Sequence, residues 1–249
     1  MKYISFLLCL IILTALLSCG ENPLEHISDY ENDNDGVYED DVIAIGNSPN
    51  SFYLPEPAIT GEMSIEEALA SRRSRRSFQG EALSVEDLSQ ILWAAYGVTE
   101  PGRGLRTAPS AGATYPLEVY VVIGNVSEFD AGVYKYDPFE HRITETKTGD
   151  VRNELSAAAL NQTMIREAPI TIVYTAVFSR IEGRYGQRGR ERYVFMEIGH
   201  SAQNIYLQAE ALGLGTCAIG AFSDSSVRDI LEIPADEDPL YFLPVGHVR

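Results

Sequence analysis

The stretch RYVFMEIGHSAQNIYLQAEALGLGTCAIGAF (residues 192–222) contains the longest helix that the sequence predicts, together with the strand that follows it. The helix is predicted from about Arg190 to Leu212, and CAIGAF (217–222) is predicted to be a short strand. Upstream, LEVYVVIG (117–124) and ITIVYTAVF (170–178) are typical of buried strands, because β-branched and aromatic residues favour strands. LYFLPVG (240–246) is predicted to be the last strand.

Helix caps and a hairpin complete the predicted secondary structure. Ser64 with Glu67 and Ser84 with Asp87 have the spacing of helix N-caps. GVYKYD (132–137) and HRITET (141–146) are interpreted as a hairpin, and short helices are predicted after Asp150 and over 225–231. Helices and strands do not alternate regularly, which predicts an α+β fold with helices flanking a mostly antiparallel sheet.

Composition and missing motifs exclude several classes of function. The 249 residues are 45% hydrophobic, enough for one sizeable domain. A net charge of −17 with clustered arginines argues against nucleic-acid binding. No phosphate-loop, GxGxxG, GxSxG or HExxH motif is present. The cysteine and histidine spacing predicts neither a disulfide framework nor a metal site.

The N-terminus predicts export. Lys2, an apolar run over 4–17 and the sequence LLSCG (16–20) are typical of a signal peptide, and the ending resembles a lipoprotein box that would be lipidated at Cys19. An ordinary secretory signal or an uncleaved anchor helix is the alternative. Residues 20–61 begin with an acidic, lysine- and arginine-free stretch and are interpreted as a disordered tether, leaving 62–249 as the folded domain of an envelope lipoprotein. Within the tether, the part around Phe52 and Tyr53 could pack on the domain as an arm.

Three stretches combine arginines or small residues with free backbone N–H groups, and each could bind an anionic ligand. Residues 72–76 are Arg-Arg-Ser-Arg-Arg, whose planar guanidinium groups suit phosphate oxygens. Residues 106–113 and 218–221 consist largely of small side chains that allow a ligand to approach the backbone. Taken alone, the arginine cluster could equally be a basic helix C-terminus that complements the helix dipole. The order and spacing of all three stretches favour a ligand site.

The combination of RRSxR, PSAGATYPLEVYVV, GVYKYDP, the 192–222 stretch and PLYFLPVGH resembles the FMN-dependent nitroreductase superfamily, and within it the SagB-type dehydrogenases. The resemblance covers about residues 62–249. It implies a nitroreductase-like fold with FMN bound at a homodimer interface. It also implies that a hydride passes through flavin N5 by a ping-pong mechanism, with a small molecule or peptide as substrate.

The resemblance implies roles for individual residues. The RxSxR motif would hold the phosphate or ribityl chain, with one arginine beside the flavin pyrimidine edge. A second loop would reach FMN from the other subunit, and a third segment would contact the ring system. These cofactor-binding positions are Arg72, Arg73, Ser74 and Arg76; Pro109, Ser110 and Gly112; Ala218, Ile219 and Gly220; and the C-terminal Arg249, which the resemblance places at the phosphate. Glu197, His200 and Gln203 would contribute to the dimer interface.

One departure from the family pattern affects the predicted catalytic groups. Azoline-oxidising relatives have a Lys-Tyr pair before the long helix, where this chain has Arg184-Tyr185. Arginine stays protonated and cannot replace lysine as a base, although Tyr185 could exchange a proton. The alternative function, from a different class, is a surface lipoprotein that keeps the flavin-binding fold as a binding module without catalysis.

Overall fold

The computed structural model describes residues 50–249. The predicted signal peptide, the lipidation site at Cys19 and residues 20–49 of the predicted tether lie outside this range. The strands are β1 (Ser51–Tyr53), β2 (Val98–Glu100), β3 (Leu105–Arg106), β4 (Leu117–Ile123), β5 (Gly132–Asp137), β6 (Arg142–Thr148), β7 (Ile170–Ala176), β8 (Gly215–Thr216) and β9 (Asp238–Gly246). The helices are α1 (Ile65–Ser71), α2 (Val85–Tyr96), α3 (Arg152–Ala158), α4 (Met164–Glu167), α5 (Ser179–Arg188), α6 (Val194–Ala211) and α7 (Asp224–Leu231).

Seven strands form one sheet in the order β1-β6-β5-β4-β7-β9-β8, and every neighbouring pair is antiparallel. β2 and β3 form a separate small hairpin. Helices cover both faces of the large sheet. Along β4, Val119 and Val121 pack in one apolar cluster with α2 and α6, whereas Tyr120 and Val122 pack in another with α3 and α7. The predicted α+β fold is confirmed.

The two predicted N-caps are present. The Ser64 hydroxyl accepts a hydrogen bond from the Glu67 amide, and the Glu67 carboxylate accepts one from the Ser64 amide, which makes a complete capping box for α1. The Ser84 hydroxyl accepts from the Asp87 amide at the start of α2. No helix among residues 50–249 combines the length and the hydropathy that crossing a membrane requires.

Two predicted elements have different bounds. The α-helical part of the long helix begins at Val194, after a π-helical turn over 189–193 and the additional helix α5. The strand predicted over 217–222 is wrong in position, because β8 covers only 215–216 and Ile219 alone pairs with Phe242 beyond it. After the pair Thr216–Val245, the register places Cys217 opposite Pro244 of β9, and proline has no N–H that could continue the ladder.

The folded domain extends upstream of residue 62, and the arm expected around Phe52 and Tyr53 packs on it as the edge strand β1. β1 pairs with β6 through Ser51 and Thr144, and the ring of Phe52 packs edge-on against that of Phe129 at 5.3 Å between centroids. An edge strand of three residues carries too weak a pattern to separate it from the preceding polar segment.

His141 connects this N-terminal arm to the domain. Its Nε2 lies 3.0 Å from the Pro55 carbonyl oxygen and 2.7 Å from the Ser89 hydroxyl, and its Nδ1 lies 2.8 Å from the Tyr136 hydroxyl. Burial lowers the pKa of His141 below its ordinary value, although the Pro55 carbonyl and the Glu56 charge oppose the shift. The folded state therefore favours the neutral imidazole.

The free energy of unfolding is expected to depend on this histidine at mildly acidic pH. Because the pKa is lower in the folded chain, the unfolded chain binds the proton first, so the stabilisation is complete above about pH 6.5 and is lost as the pH falls through the folded-state pKa. Chemical denaturation between pH 8 and 5 measures this loss, and His141→Gln should flatten the profile just below pH 6.5. An equally steep decline in the variant would assign the effect to other groups.

Candidate active site

The arginine-rich segment lies along the edge of the sheet at β8. Ser74 forms a parallel bridge with Thr216, and the Arg75 amide donates to the Thr216 carbonyl at 2.9 Å. Because side chains alternate along an extended chain, Arg72, Ser74 and Arg76 share one side of the segment. The extended backbone next to β8 therefore brings the three fixed residues of the RxSxR pattern to one side.

Tyr206, on α6, connects the arginine segment to the third predicted stretch. Its hydroxyl lies 3.1 Å from the Ser74 hydroxyl and accepts a hydrogen bond from the Ala218 amide at 2.9 Å. The Arg72 guanidinium lies 5.2 Å from the centre of its ring. The sequence analysis did not identify Tyr206, because nothing in the helical pattern distinguishes it from a packing residue.

The donors of this cluster suit an anion. Within residues 50–249, none of the four arginines at 72, 73, 75 and 76 forms a salt bridge. The Arg73 guanidinium donates to the carbonyls of Ala70 and Arg72 at 3.1 and 2.8 Å, so it caps the end of α1. The alternative reading of the cluster as a helix C-terminus therefore describes Arg73, while Arg72 and Arg76 keep their donors for a ligand.

The third segment offers open backbone. Gly220 is exposed, and a side chain built on it would meet only the Tyr241 ring at 3.8 Å, whereas Ile219 is buried in the core. Burial raises the pKa of the Cys217 thiol to about 11, although Arg76 opposes the shift. A thiol with so high a pKa is a poor nucleophile, and Cys217 is a packing residue.

Arg249 lies next to the arginine segment. Its amide donates to the Ser77 carbonyl at 3.2 Å, and its Nη1 lies 3.7 Å from a carboxylate oxygen of Glu167. The C-terminus is thus held beside residues 72–78, and the role of Arg249 toward a phosphate stays a prediction.

The second cluster surrounds the loop at residues 109–113. Gly112 has a left-handed backbone conformation with φ of 62°, and an added Cβ would lie 2.6 Å from the Tyr185 hydroxyl and 2.9 Å from Arg184 Nε. Arg184 donates to the Gly112 carbonyl at 3.1 Å, and the ring of Tyr185 packs edge-on against that of Tyr193. Glycine therefore allows Arg184 and Tyr185 to lie directly against this loop. Pro109, at its start, is exposed.

A buried carboxyl group supports the loop from within. Glu197 accepts a short hydrogen bond from the Tyr96 hydroxyl and is 1% exposed. Burial raises the pKa of Glu197, while the hydroxyls of Ser110 and Tyr96 and the charge of Arg106 lower it. The Ser110 hydroxyl also accepts from the Tyr115 amide at 2.9 Å.

The predicted interface role of Glu197 is wrong for this reason: its side chain faces the core. Inward positions of α6 recur every three or four residues, as in Ile198, Ser201 and Ile205, and Glu197 belongs to this face. His200 lies on the exposed face, and Gln203 is partly exposed.

The two clusters lie at opposite ends of α6 and are not brought together within one copy of residues 50–249. The loop cluster adjoins Glu197 in the first turn, and the arginine cluster adjoins Tyr206 near the end. Nine residues of α-helix at about 1.5 Å per residue separate these two positions by about 13 Å.

Relatives of this chain are known. A Methanocaldococcus jannaschii protein, MJ1384, named as a nitroreductase, is 49% identical over 185 residues, which are 74% of this chain and 91% of that protein. The Microcin B17-processing protein McbC of Escherichia coli is 28% identical over 156 residues, 61% of this chain and 57% of McbC. The FMN reductase (NADPH) of Bacillus subtilis is 25% identical over 194 residues, 73% of this chain and 64% of that enzyme.

A solved structure has the same architecture. A crystal structure from Ralstonia eutropha, of a protein also named as a nitroreductase, superposes with a TM-score of 0.70 at 28% identity and covers 83% of this chain and 93% of its own. The family match and the similarity to an FMN reductase support a flavin-dependent oxidoreductase with FMN as cofactor. Residues 69–247 match the model of the nitroreductase family, and the chain belongs to that family.

Proposed function

We propose that this chain is an FMN-dependent oxidoreductase whose active site is completed by a second copy and whose two substrates react in turn. When bound, FMN supplies a hydride-carrying position at N5. Arg72 and Ser74 would hold the phosphate and ribityl chain, since their donors share one side of the segment beside β8. Arg76 would place a fixed positive charge toward the pyrimidine edge, where it stabilises negative charge that develops on reduction.

The position of the two clusters at opposite ends of α6 carries the proposal of a shared site. In a two-fold symmetric dimer that pairs this helix with its copy in opposite directions, the loop at 109–113 of one copy approaches the arginine segment of the other. Family members are typically homodimers. Binding of FMN and dimerisation of the chain would then be coupled.

An exposed apolar face supports the same arrangement. Phe195 and Met196 on α6 are 50% and 53% exposed, and Ile65 and Leu69 on the neighbouring α1 are 54% and 55% exposed. Exposed apolar side chains of this size on two helices are typical of interaction surfaces. Gly199 lies in the same exposed stripe of α6 and would allow two helices to approach closely.

Arg184 and Tyr185 would have different roles. Arg184 holds the Gly112 carbonyl and therefore positions the loop, and as a permanent cation it cannot act as a base. Tyr185 brings a phenol hydroxyl to the same loop and would exchange a proton with the substrate. The reaction would be SagB-like dehydrogenation of a peptide or small molecule, or reduction of a nitro or quinone acceptor.

Tyr185→Phe tests this division. It keeps the ring that packs on Tyr193 and removes only the hydroxyl, so FMN content should be unchanged while kcat for substrates that need a proton falls about 100-fold. Steady-state kinetics with flavin content measured in parallel checks this. A kcat within twofold of the wild-type value would assign Tyr185 to packing.

We also propose that the domain acts outside the cytoplasm, tethered through Cys19. A protein in that place would not meet NAD(P)H, so the electron donor would be the substrate that undergoes dehydrogenation, with oxygen or another acceptor as the second substrate, or a donor from the envelope. Fractionation with metabolic lipid labelling of wild-type and Cys19→Ala chains tests the anchor, and equal labelling of both would contradict it.

The absorption spectrum of the purified full-length chain tests the proposed function as a whole. Flavin bands near 370 and 450 nm (roughly, as for any flavin cofactor) and turnover with a nitro or quinone acceptor, or with an oxidisable peptide, are expected. Bound FMN without turnover on any of these classes would favour the non-catalytic binding module.

A further inference from the structure

A cavity of about 560 Å³ lies beside the loop at 109–113, within the range of small-molecule sites. Its wall continues from this loop, because Tyr115, whose amide bonds to Ser110, lines it. The rest of the wall comes from the ends of β4 and β5 and the first turn of α5.

Arg106 is the cation in this wall that forms no salt bridge among residues 50–249, although its charge lowers the pKa of the buried Glu197 carboxyl behind it. Its guanidinium carbon lies 4.2 Å from the centre of the Tyr96 ring and 4.4 Å from that of Tyr115, and it also faces Phe139 at 5.6 Å. Its Nε is buried and has no hydrogen-bond partner. The nearby carboxyl of Glu197 forms no salt bridge with it. The aromatic rings hold this guanidinium in place and leave its donors unsatisfied.

The other charges of the cavity are paired. Glu118 forms salt bridges with Lys135 at 3.2 Å and with Arg180, and Asp137 pairs with Arg142 at 3.3 Å. An anionic ligand would therefore meet one unpaired guanidinium without displacing an existing ion pair. A cationic ligand would find each lining carboxylate already neutralised.

The ring-bearing side chains indicate the rest of the ligand. Tyr115, Tyr136 and Phe139 line the cavity, and Phe139 is 60% exposed at this position. Aromatic rings stack on planar apolar groups, and an arginine fork binds a carboxylate through two parallel hydrogen bonds. The wall therefore combines a carboxylate receptor with a ring-binding surface.

We propose that this cavity binds a small organic anion in which a carboxylate lies beside an aromatic ring, with Arg106 as the residue that determines specificity. The inference rests on the proposed function, since it identifies this anion as a substrate class of the adjoining flavin site. The ring and carboxylate would occupy the cavity next to the loop that Arg184 positions.

Calorimetric titration of the full-length protein, loaded with FMN, with benzoate and with its neutral isostere benzamide tests the proposal. At pH 8 benzoate should bind about 10- to 100-fold more tightly, since only the carboxylate forms charge-assisted hydrogen bonds. Arg106→Gln should abolish the difference, and Arg106→Lys should reduce it. The matched control is Arg103→Gln, which removes an exposed arginine three residues away and should leave the difference unchanged.

Equal binding of the two probes by the wild-type protein, or an unchanged difference in Arg106→Gln, would overturn the proposal. If circular dichroism shows that Arg106→Gln does not fold, the proposal is tested by the benzoate and benzamide affinities of the wild-type protein and of Arg106→Lys. FMN content and turnover are measured on the same samples. Turnover without a benzoate preference defeats the cavity proposal alone. A benzoate preference in a protein that binds no FMN keeps the anion site but defeats both the flavin function and the role of the anion as its substrate.

Discussion

Replacing Arg72 and Ser74 together with alanine is expected to remove FMN from the purified protein. The change deletes the donors of one guanidinium and one hydroxyl that share the side of the segment facing Tyr206. Charge-assisted hydrogen bonds contribute about 1.5–3 kcal/mol each, so the loss of two should weaken FMN binding about 100- to 10,000-fold. Titration of the apoprotein with FMN, followed by flavin fluorescence quenching, measures it.

The control for this variant is Arg103→Ala, which removes an exposed arginine from the β2–β3 hairpin. It should keep full FMN content. The Ser74 hydroxyl also contacts Tyr206, so thermal unfolding of both apoproteins separates a local loss of stability from a loss of cofactor affinity. Full FMN retention by the double variant would show that the phosphate site lies elsewhere.

Gly199→Glu is expected to convert the protein to a monomer that binds FMN poorly. Apart from the backbone of its own helix, no atom lies within 4 Å of a Cβ added at Gly199, so a single copy has open space for the start of the glutamate side chain. Two symmetric copies would face each other with desolvated carboxylates and lose the close approach that glycine permits, which should weaken the dimer at least about 100-fold. Light scattering coupled to absorbance reports mass and flavin together.

Gly102→Glu is the matched control, because Gly102 is also exposed, with open space around it, and lies in the β2–β3 turn far along the chain from α6. It should remain a dimer with full flavin content. A Gly199→Glu monomer that keeps its FMN would contradict the shared site, and an unaffected dimer would show that the interface is on another face.

The sheet could be predicted because its strands carry strong patterns. β4 and β7 are continuous β-branched and aromatic runs that are buried on both faces, and the capping residues of α1 and α2 mark their own starts. The short strands β1 and β8 could not be predicted in the same way. Their positions depend on partner strands and on Pro244, which interrupts a ladder that the local sequence would otherwise continue.

Part of the candidate site could be predicted from residue chemistry. The segment at 72–76 is recognisable because arginines alternate with serine in an acidic chain, and the structure places Ser74 and Ala218 around one tyrosine. Tyr206 itself gives no signal, since its importance comes from which strand edge the helix crosses. The inward orientation of Glu197 is likewise a tertiary effect, because burying a carboxyl group requires the Tyr96 hydroxyl at the right place.

The central claim is that FMN is bound between two copies of this chain. Native mass spectrometry of the purified full-length protein tests it most directly, because it reports subunit number and cofactor number for the same particle. A dimer that carries two FMN molecules is expected, with flavin lost when the subunits are separated. A monomer that carries one FMN, or a dimer that takes up none when FMN is added, would contradict it.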